Sequence, residues 1–455
     1  MTGLEIELPR RSFLAMPALW ASMARPQPQT KRPPNFVVIL ADDLGYGDLG
    51  IYGHPVNRTP HLDRLAREGL RFTDFHSNGP MCSPTRAALL TGKYQHRFGE
   101  AFEGALDDKA DFDRGLPPGV PTIASTLRAA GYATGIYGKW HLGYRPPFLP
   151  PSYGFDDFRG LSSGDGDHHS HINRSGRPDW WHNDRLAGES GYTADLVTRH
   201  GIEFIDRHRE RPFFLYLPHL AIHFPWQGPR DQAHRVEGRS YHDLSKLGPM
   251  ESKDVGAKVR EMVEAVDDSV GRIVRALDER NLSENTLVVF TSDNGGYLTY
   301  SGGFHNISSN GPLRGQKTDV FEGGHRVPAI ARWPGHIRPG VSGQTAMTFD
   351  LFPTLAELAG VGGATGSLKL DGVSLRPLLL DGRPLPARTL FWRMRGKKAV
   401  RQGDWKLVRN GPEEPQLFNL GQDLGETTDR SGAEPEIRAQ LLRELARWET
   451  GVDAI

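Results

Sequence analysis

At 455 residues the chain exceeds what one hydrophobic core organises, since cores stop growing at about 250–300 residues, so a large domain with a smaller companion is expected. Hydrophobic residues at 37% and charged residues at 24% describe a soluble globular protein. Lys+Arg 55 against Asp+Glu 55 leaves no basic excess for nucleic acid or an anionic membrane, so any anion site must be built locally.

In chain order, Arg10-Arg11-Ser12-Phe13-Leu14 opens an apolar stretch over 13–24 that ends in the small residues Ser22-Met23-Ala24. This is the pattern of a twin-arginine signal, 1–24, and it is too short to span a bilayer. A Pro-rich linker, 25–34, follows. Residues 36–41, Phe-Val-Val-Ile-Leu-Ala, form a continuous apolar run, the mark of a strand buried on both faces, and it runs into Asp42-Asp43. Thr59 and Pro60 open a helix that Gly69 closes. Further helices are predicted over 122–130, 193–206 and 255–277. In the last, Val259, Met262, Val266, Val270, Ile273 and Leu277 recur at three or four residues and make one apolar face. Buried strands are predicted over 133–137, 213–217 and 287–290. Helices alternating with apolar strands give an α/β domain with a mostly parallel sheet flanked by helices, over 35–369. Beyond about 370 the texture changes. Residues 399–408 and 417–419 read as short strands, and 435–449 reads as a terminal helix with Leu441, Leu442, Leu445 and Trp448 on one side. This is the smaller α+β domain, 370–455. No later segment reads as transmembrane.

Ligands in such sheets collect beyond the carboxyl ends of the strands, and polar residues gather there. The first strand delivers Asp42-Asp43 and the strand 287–290 delivers Asp293-Asn294-Gly295-Gly296. Three carboxylates and an amide are hard oxygen donors that suit Ca²⁺ or Mg²⁺ rather than zinc, and their charges repel unless a cation sits between them. Each cluster alone also reads as an ordinary turn. Cys82-Ser83-Pro84-Thr85-Arg86 begins a helix that stops at Gly92, with Ser83 as the expected N-cap and Cys82 just before it. Free N–H groups at that end and the guanidinium of Arg86 favour an anion.

Cys-x-Pro-x-Arg followed by Leu90-Thr91-Gly92 resembles the signature of the sulfatase family. Gly138-Lys139-Trp140-His141-Leu142-Gly143, Asp42-Asp43, Asp293-Asn294, Leu313-Arg314-Gly315-Gln316-Lys317 and Phe321-Glu322-Gly323-Gly324 match further family motifs in the family's order. Gln316 stands where glycine is more usual. The resemblance runs from about Pro34 to the C-terminal helix and implies an alkaline phosphatase-like fold. It also implies that a maturation enzyme converts Cys82 to formylglycine, whose hydrated aldehyde is the nucleophile, on one Ca²⁺ (Mg²⁺ less favoured). By the same resemblance Asp42, Asp43, Asp293, Asn294 and the modified Cys82 ligate the metal. Arg86 and Lys139 hold the hydrated aldehyde, and His141 is the base that later deprotonates it. His223 and Lys317 bind sulfate and assist the leaving oxygen, with His223 preferred to His219 because Pro225 follows it.

The stretches 47–55, 60–72 and 81–93 are most similar to the arylsulfatase A and N-acetylgalactosamine-6-sulfatase branch, which implies a sulfated carbohydrate, with small aryl sulfates as surrogates. Trp180 and Trp181 are expected to stack on a sugar face, and Asp165, Asp167 and His168 to hydrogen-bond its hydroxyls. Two rivals stand beside this reading. A phosphate or phosphonate monoester hydrolase of related fold would share the metal ligands. A calcium-dependent carbohydrate-binding protein would leave Cys82, Lys139 and Lys317 without a purpose. The expected place is outside the cytoplasm, periplasmic or extracellular, and the expected partners are a sulfated small molecule or glycan and the maturation enzyme.

Overall fold

Every residue of Asn35–Ala41 (β1) is buried, and its side chains alternate between two cores. Phe36, Val38 and Leu40 enter one cluster; Val37, Ile39 and Ala41 enter the other. The computed structural model describes residues 1–3, 32–243 and 252–453. Met1–Arg32 and Pro33–Ile455 are two units, and every helix and strand among the described residues belongs to the second. The twin-arginine segment lies outside the described residues.

Ten strands form the main sheet. In chain order they are β1, Leu70–Phe72 (β2), Ala133–Lys139 (β3), Asp157–Leu161 (β4), Trp181–His182 (β5), Arg185–Leu186 (β6), Phe213–Pro218 (β7), Thr286–Ser292 (β8), Ala329–Arg332 (β9) and Gly340–Ser342 (β10). Their spatial order is β10-β2-β9-β8-β1-β7-β3-β4-β5-β6. The five central strands, β8-β1-β7-β3-β4, are all parallel, with Phe36 opposite Phe214 and Leu287. Antiparallel pairs extend the sheet on both flanks, β8 to β9 to β2 and β4 to β5 to β6. The mostly parallel expectation therefore describes the centre of a mixed sheet. The flanking strands are two to four residues long, too short to show a period in sequence.

Helices cover both faces. Pro60–Glu68 (α1), Thr193–His208 (α4) and Gly256–Glu279 (α5) pack on one side, and Cys82–Thr91 (α2) and Ile123–Ala129 (α3) on the other. The apolar face of α5 is realised: Val259, Met262, Val266, Val270, Ile273 and Leu277 are all buried. Each such side chain contributes about 1.5–3 kcal/mol by leaving water. Two caps differ from expectation. Thr59 makes no cap bond to α1; its hydroxyl accepts from Gly50 N and donates to Asp63 instead. Helix α2 includes Cys82, with extended Met81 as its N-cap residue, and the Ser83 hydroxyl accepts from Leu106 N, tying down a neighbouring loop.

After 370 a four-stranded antiparallel sheet forms from Thr389–Met394 (β11), Lys397–Gln402 (β12), Trp405–Asn410 (β13) and Gln416–Asn419 (β14). The terminal helix Pro435–Asp453 (α6) packs on it through Leu441 and Leu445, with Leu442 and Trp448 partly buried alongside. Among the described residues no helix is long and apolar enough to cross a membrane.

Candidate active site

The carboxyl ends of β1, β3 and β8 deliver Asp42-Asp43, Lys139 and Asp293-Asn294 to one place, because the three strands run parallel and end together. Asp43 takes a left-handed conformation, φ 64°, just past the end of β1, and its carboxylate meets Lys317 Nζ and Asn294 Nδ2. Helix α2 is buried on all sides and points its first turn at the same spot. Cys82 Sγ lies 3.4 Å from Asp42 Oδ1 and 3.3 Å from Lys317 Nζ. Arg86 donates from Nε and a terminal nitrogen to Asp293 Oδ2 at 3.0 and 2.8 Å, and from the other nitrogen to Lys139 O at 2.8 Å. Lys139 Nζ pairs with Asp42, and Lys317 Nζ with Asp43 at 2.5 Å. Ligand-type atoms of Asp42, Asp43, Cys82 and His223 all lie within 4.8 Å of one another. Asp293 turns to Arg86 and, through Oδ1, accepts from Asp43 N at 3.2 Å.

Two glycine pairs let the motif loops approach. A Cβ on Gly295 would meet Gly323 O at 1.8 Å, and one on Gly296 would meet the Ser308 hydroxyl at 1.7 Å. Gly295 N donates to Gly324 O, and Lys317 N donates to Gly296 O, which sets the Lys317 backbone beside the Asp293-Asn294 turn. Gln316 has a local use, since its Oε1 accepts from Leu298 N and Thr299 N.

The electrostatics follow from crowding. Burial, then the neighbouring Asp293, pushes the Asp42 carboxyl up to about 7. Burial acts to raise Asp43 as well, but Lys317, His223 and Lys139 hold it well below the carboxylate range. Both carboxylates bond a lysine, and the opposite directions reflect the remaining neighbours: Asp293 and Asp43 add negative charge beside Asp42, whereas Asp43 faces Lys317, His223 and Lys139. Burial also raises the Cys82 thiol, with Asp42 adding to the rise. Burial and Lys139 lower His223 to about 3 and hold His141 well below its ordinary value, so both are neutral. His141 donates from Nε2 to Leu106 O at 2.9 Å, while its buried Nδ1 has no partner. Its ring rests on Gly164, where a Cβ would come within 1.9 Å. His223 donates from Nδ1 to Phe224 O at 2.7 Å, leaving Nε2 3.9 Å from Asp43. His219 faces away and pairs with Ser269 of α5.

These groups open into a cavity of about 260 Å³ lined by Asp43, Cys82, His141, His223 and Lys317. The cavity also takes Arg174, Trp226, Tyr297, Tyr300 and Arg395, which carry no motif and no periodic signal in sequence. Of these, Tyr297, directly after Gly295-Gly296, and Trp226, directly after Pro225, were adjacent to recognised residues. The expected sugar-contacting set is corrected. Trp180 is buried against Leu161, Leu196 and Leu220, and Trp181 lies in a flanking strand with its indole N–H on Asp179; neither lines the cavity. Asp167 accepts four backbone N–H bonds, and His168 bonds Thr193 and His223 O, so both brace loops. Asp165 lines the cavity but is paired with Arg174 and Arg235.

Comparison with known proteins decides the family: the sulfatase family's sequence profile matches residues 34–361. The chain belongs to the sulfatase family. Human arylsulfatase A is 36% identical over 93% of this chain and 89% of that protein. Human N-acetylgalactosamine-6-sulfatase is 35% identical over 90% and 84%. The crystal structure of Ps i-CgsB in complex with k-i-k-neocarrahexaose is 32% identical with a TM-score of 0.80, covering 92% of this chain and 93% of that one. The sulfatase is thus a sulfuric ester hydrolase with the alkaline phosphatase-like fold.

The family's divalent metal fits the residues present. Asn294 Oδ1 is buried without a hydrogen-bond partner, next to an Asp43 carboxylate that its own Nδ2 bonds at 2.9 Å. A buried carbonyl oxygen left bare beside converging carboxylates matches the hard-oxygen donor set of such a cation.

Proposed function

We propose that this sulfatase hydrolyses sulfate esters of carbohydrates, with aryl sulfates as surrogates, through formylglycine made from Cys82 and with one Ca²⁺ in the site. The observation that carries the reading is the position of Cys82 Sγ, between Asp42 Oδ1 and Lys317 Nζ at the floor of the cavity. The carbohydrate assignment is supported by the sulfated-sugar enzyme and the neocarrahexaose complex among the relatives. Asp42, Asp43, Asp293 and Asn294 are the proposed metal ligands, with the modified side chain of residue 82. When bound, the metal neutralises charge on the sulfuryl oxygens, and formylglycine supplies a nucleophile able to release sulfate again.

The chain's own residues then have defined tasks. Arg86 fixes Asp293 and the Lys139 carbonyl together, so the cation end of β3 cannot drift from the carboxylates. Lys139 and Lys317 place positive charge where the sulfuryl group enters. Lys317 stays protonated: Asp43 and Cys82 outweigh burial and hold its ammonium well above the ordinary range. It therefore has a proton to give to the departing oxygen, with His223 beside it. His141, neutral with Nδ1 free, is the base for the final deprotonation. Residues 35–369 carry this machinery, 370–455 form the smaller domain, and Arg10-Arg11 direct export by the twin-arginine route.

The test is a panel of 6-O-, 4-O- and 2-O-sulfated monosaccharides beside an aryl sulfate and the matched aryl phosphate. Turnover of at least one sugar sulfate, and of aryl sulfate above aryl phosphate, is expected. Activity on the aryl ester alone defeats the carbohydrate assignment, and faster phosphate turnover defeats the sulfate assignment.

A further inference from the structure

The turn between β11 and β12 reaches the cavity from the smaller sheet. Its tip, Arg395, is an exposed residue at φ 55°, and it lines the same cavity as Cys82. The tip is bolted in place from the larger part of the chain. Glu103 Oε1 accepts from Arg393 Nε at 2.9 Å and from its terminal nitrogen at 2.5 Å, while Glu103 Oε2 accepts from Arg395 N at 3.3 Å. The Arg395 side chain passes over Gly104, where a Cβ would stand 3.6 Å from the guanidinium nitrogens. It therefore lies along the 104–106 segment rather than waving in solvent.

Charge pairing separates this arginine from the others nearby. Arg86 is held by Asp293, Arg174 by Asp165, and Arg393 by Glu103 and Asp453. Among the described residues the Arg395 guanidinium has no ion pair or hydrogen bond. The acids at the same mouth are already used: Asp107 accepts from Lys109 N and Ala110 N, and Asp108 holds His242 and Ser175 N. Arg395 and Ala105 also line a second, strongly polar cleft of about 730 Å³ between the 100–114 segment and the β11–β12 turn. The two spaces meet at this side chain.

We propose that Arg395 is a specificity residue that binds a second anionic group of the substrate, beyond the sulfate being cleaved, as an extended carbohydrate passes from the cavity into the cleft. This rests on the sulfatase reading above. An unpaired guanidinium on a turn whose backbone is held by Glu103 presents a planar fork of donors suited to a sulfate or a carboxylate. The shared requirement is the anion, not its source.

Three disaccharide probes test it: one sulfated on both sugars, one carrying a sulfate and a uronate carboxylate, and one carrying a single sulfate and no other charge. In the wild type both charged probes should exceed the neutral one in kcat/KM, chiefly through KM. In Arg395→Ala the ratio of charged to neutral probe should fall about fivefold, the scale of a partly exposed charge pair, with Arg395→Lys recovering part of it. The loss should shrink as salt rises. A fall for only one charged probe identifies the anion. A ratio that does not move in Arg395→Ala, or a wild type indifferent to the second charge, overturns the proposal. Calorimetric binding of the same probes to Cys82→Ala and to Cys82→Ala/Arg395→Ala gives the same ratio without turnover. Absent sulfatase activity in the wild type would thus refute the reading of the reaction while binding still decides the role of Arg395.

Discussion

Cys82, Arg86, Lys317 and His223 occupy the most crowded part of the molecule, and single substitutions there separate chemistry from folding. Cys82 is small, and the helix it starts is held by neighbours on every side. Cys82→Ala should lower kcat by at least about a thousandfold, as loss of a nucleophile does, and shift Tm by no more than about 3 °C. Retained turnover in calorimetrically folded protein would remove Cys82 from the reaction. Arg86→Ala differs, because it leaves Asp293 buried without its partner and frees the Lys139 carbonyl. It should cost about 3–5 kcal/mol in denaturant unfolding as well as activity. Lys317→Ala should reduce sugar-sulfate turnover about tenfold more than aryl-sulfate turnover, because a sugar alkoxide must be protonated as it leaves and a phenolate need not, whereas His223→Ala, which removes a neutral ring with its proton on Nδ1, should slow both alike. Equal losses on both substrates in Lys317→Ala would exclude proton delivery by Lys317.

At the scale of elements, the contact between the large sheet and the small one joins buried charge to a shared apolar cluster in which Tyr94 packs on Phe391. Asp74, just after β2, receives both terminal nitrogens of Arg401 from β12 at 2.8 Å, and Lys406 of β13 crosses to Glu322 at 2.9 Å while also pairing with Glu426, beyond β14, at 2.9 Å. Burial acts to raise the Asp74 carboxyl, but the His76 hydrogen bond, Arg401 and Arg326 hold it well below the carboxylate range. A lowered folded value means its stabilisation is complete above the unfolded value of about 4 and is lost as the pH falls below it. Asp74→Asn should cost about 3–5 kcal/mol at neutral pH, and the gap to wild type should narrow in acid. An unchanged gap across urea titrations from neutral to acid pH would exclude this ion pair as the source. The apolar runs of β1, β3, β7 and β8 and the face of α5 were readable because burial on both faces, or on one stripe, leaves a periodic trace. Strand β11 left none: Thr389 and Arg393 interrupt it, and its partner strand lies across a tight turn.

Across the whole molecule, one cation should tie the ends of β1 and β8 together. Exhaustive chelation should abolish activity and lower Tm, and Ca²⁺ should restore both, because a ligand bound only to the folded state stabilises it. Full activity in metal-free protein, checked by elemental analysis, would exclude the ion. Replacing Arg10 and Arg11 with lysine should leave folded protein in the cytoplasm, and export that continues unchanged, followed by fractionation, would exclude the twin-arginine route. By itself the sequence determined the reaction family, the alternating α/β core and which carboxylates, cations and histidines stand at strand ends. These depend on local chemistry and on periods of two and 3.6 residues. Only the tertiary structure decided which side chains face one another. It put Arg395 from one sheet into the cavity of the other and buried Trp180 away from it. Those outcomes bring together segments up to 352 residues apart in number (Asp43 and Arg395, on one cavity), which no local pattern encodes.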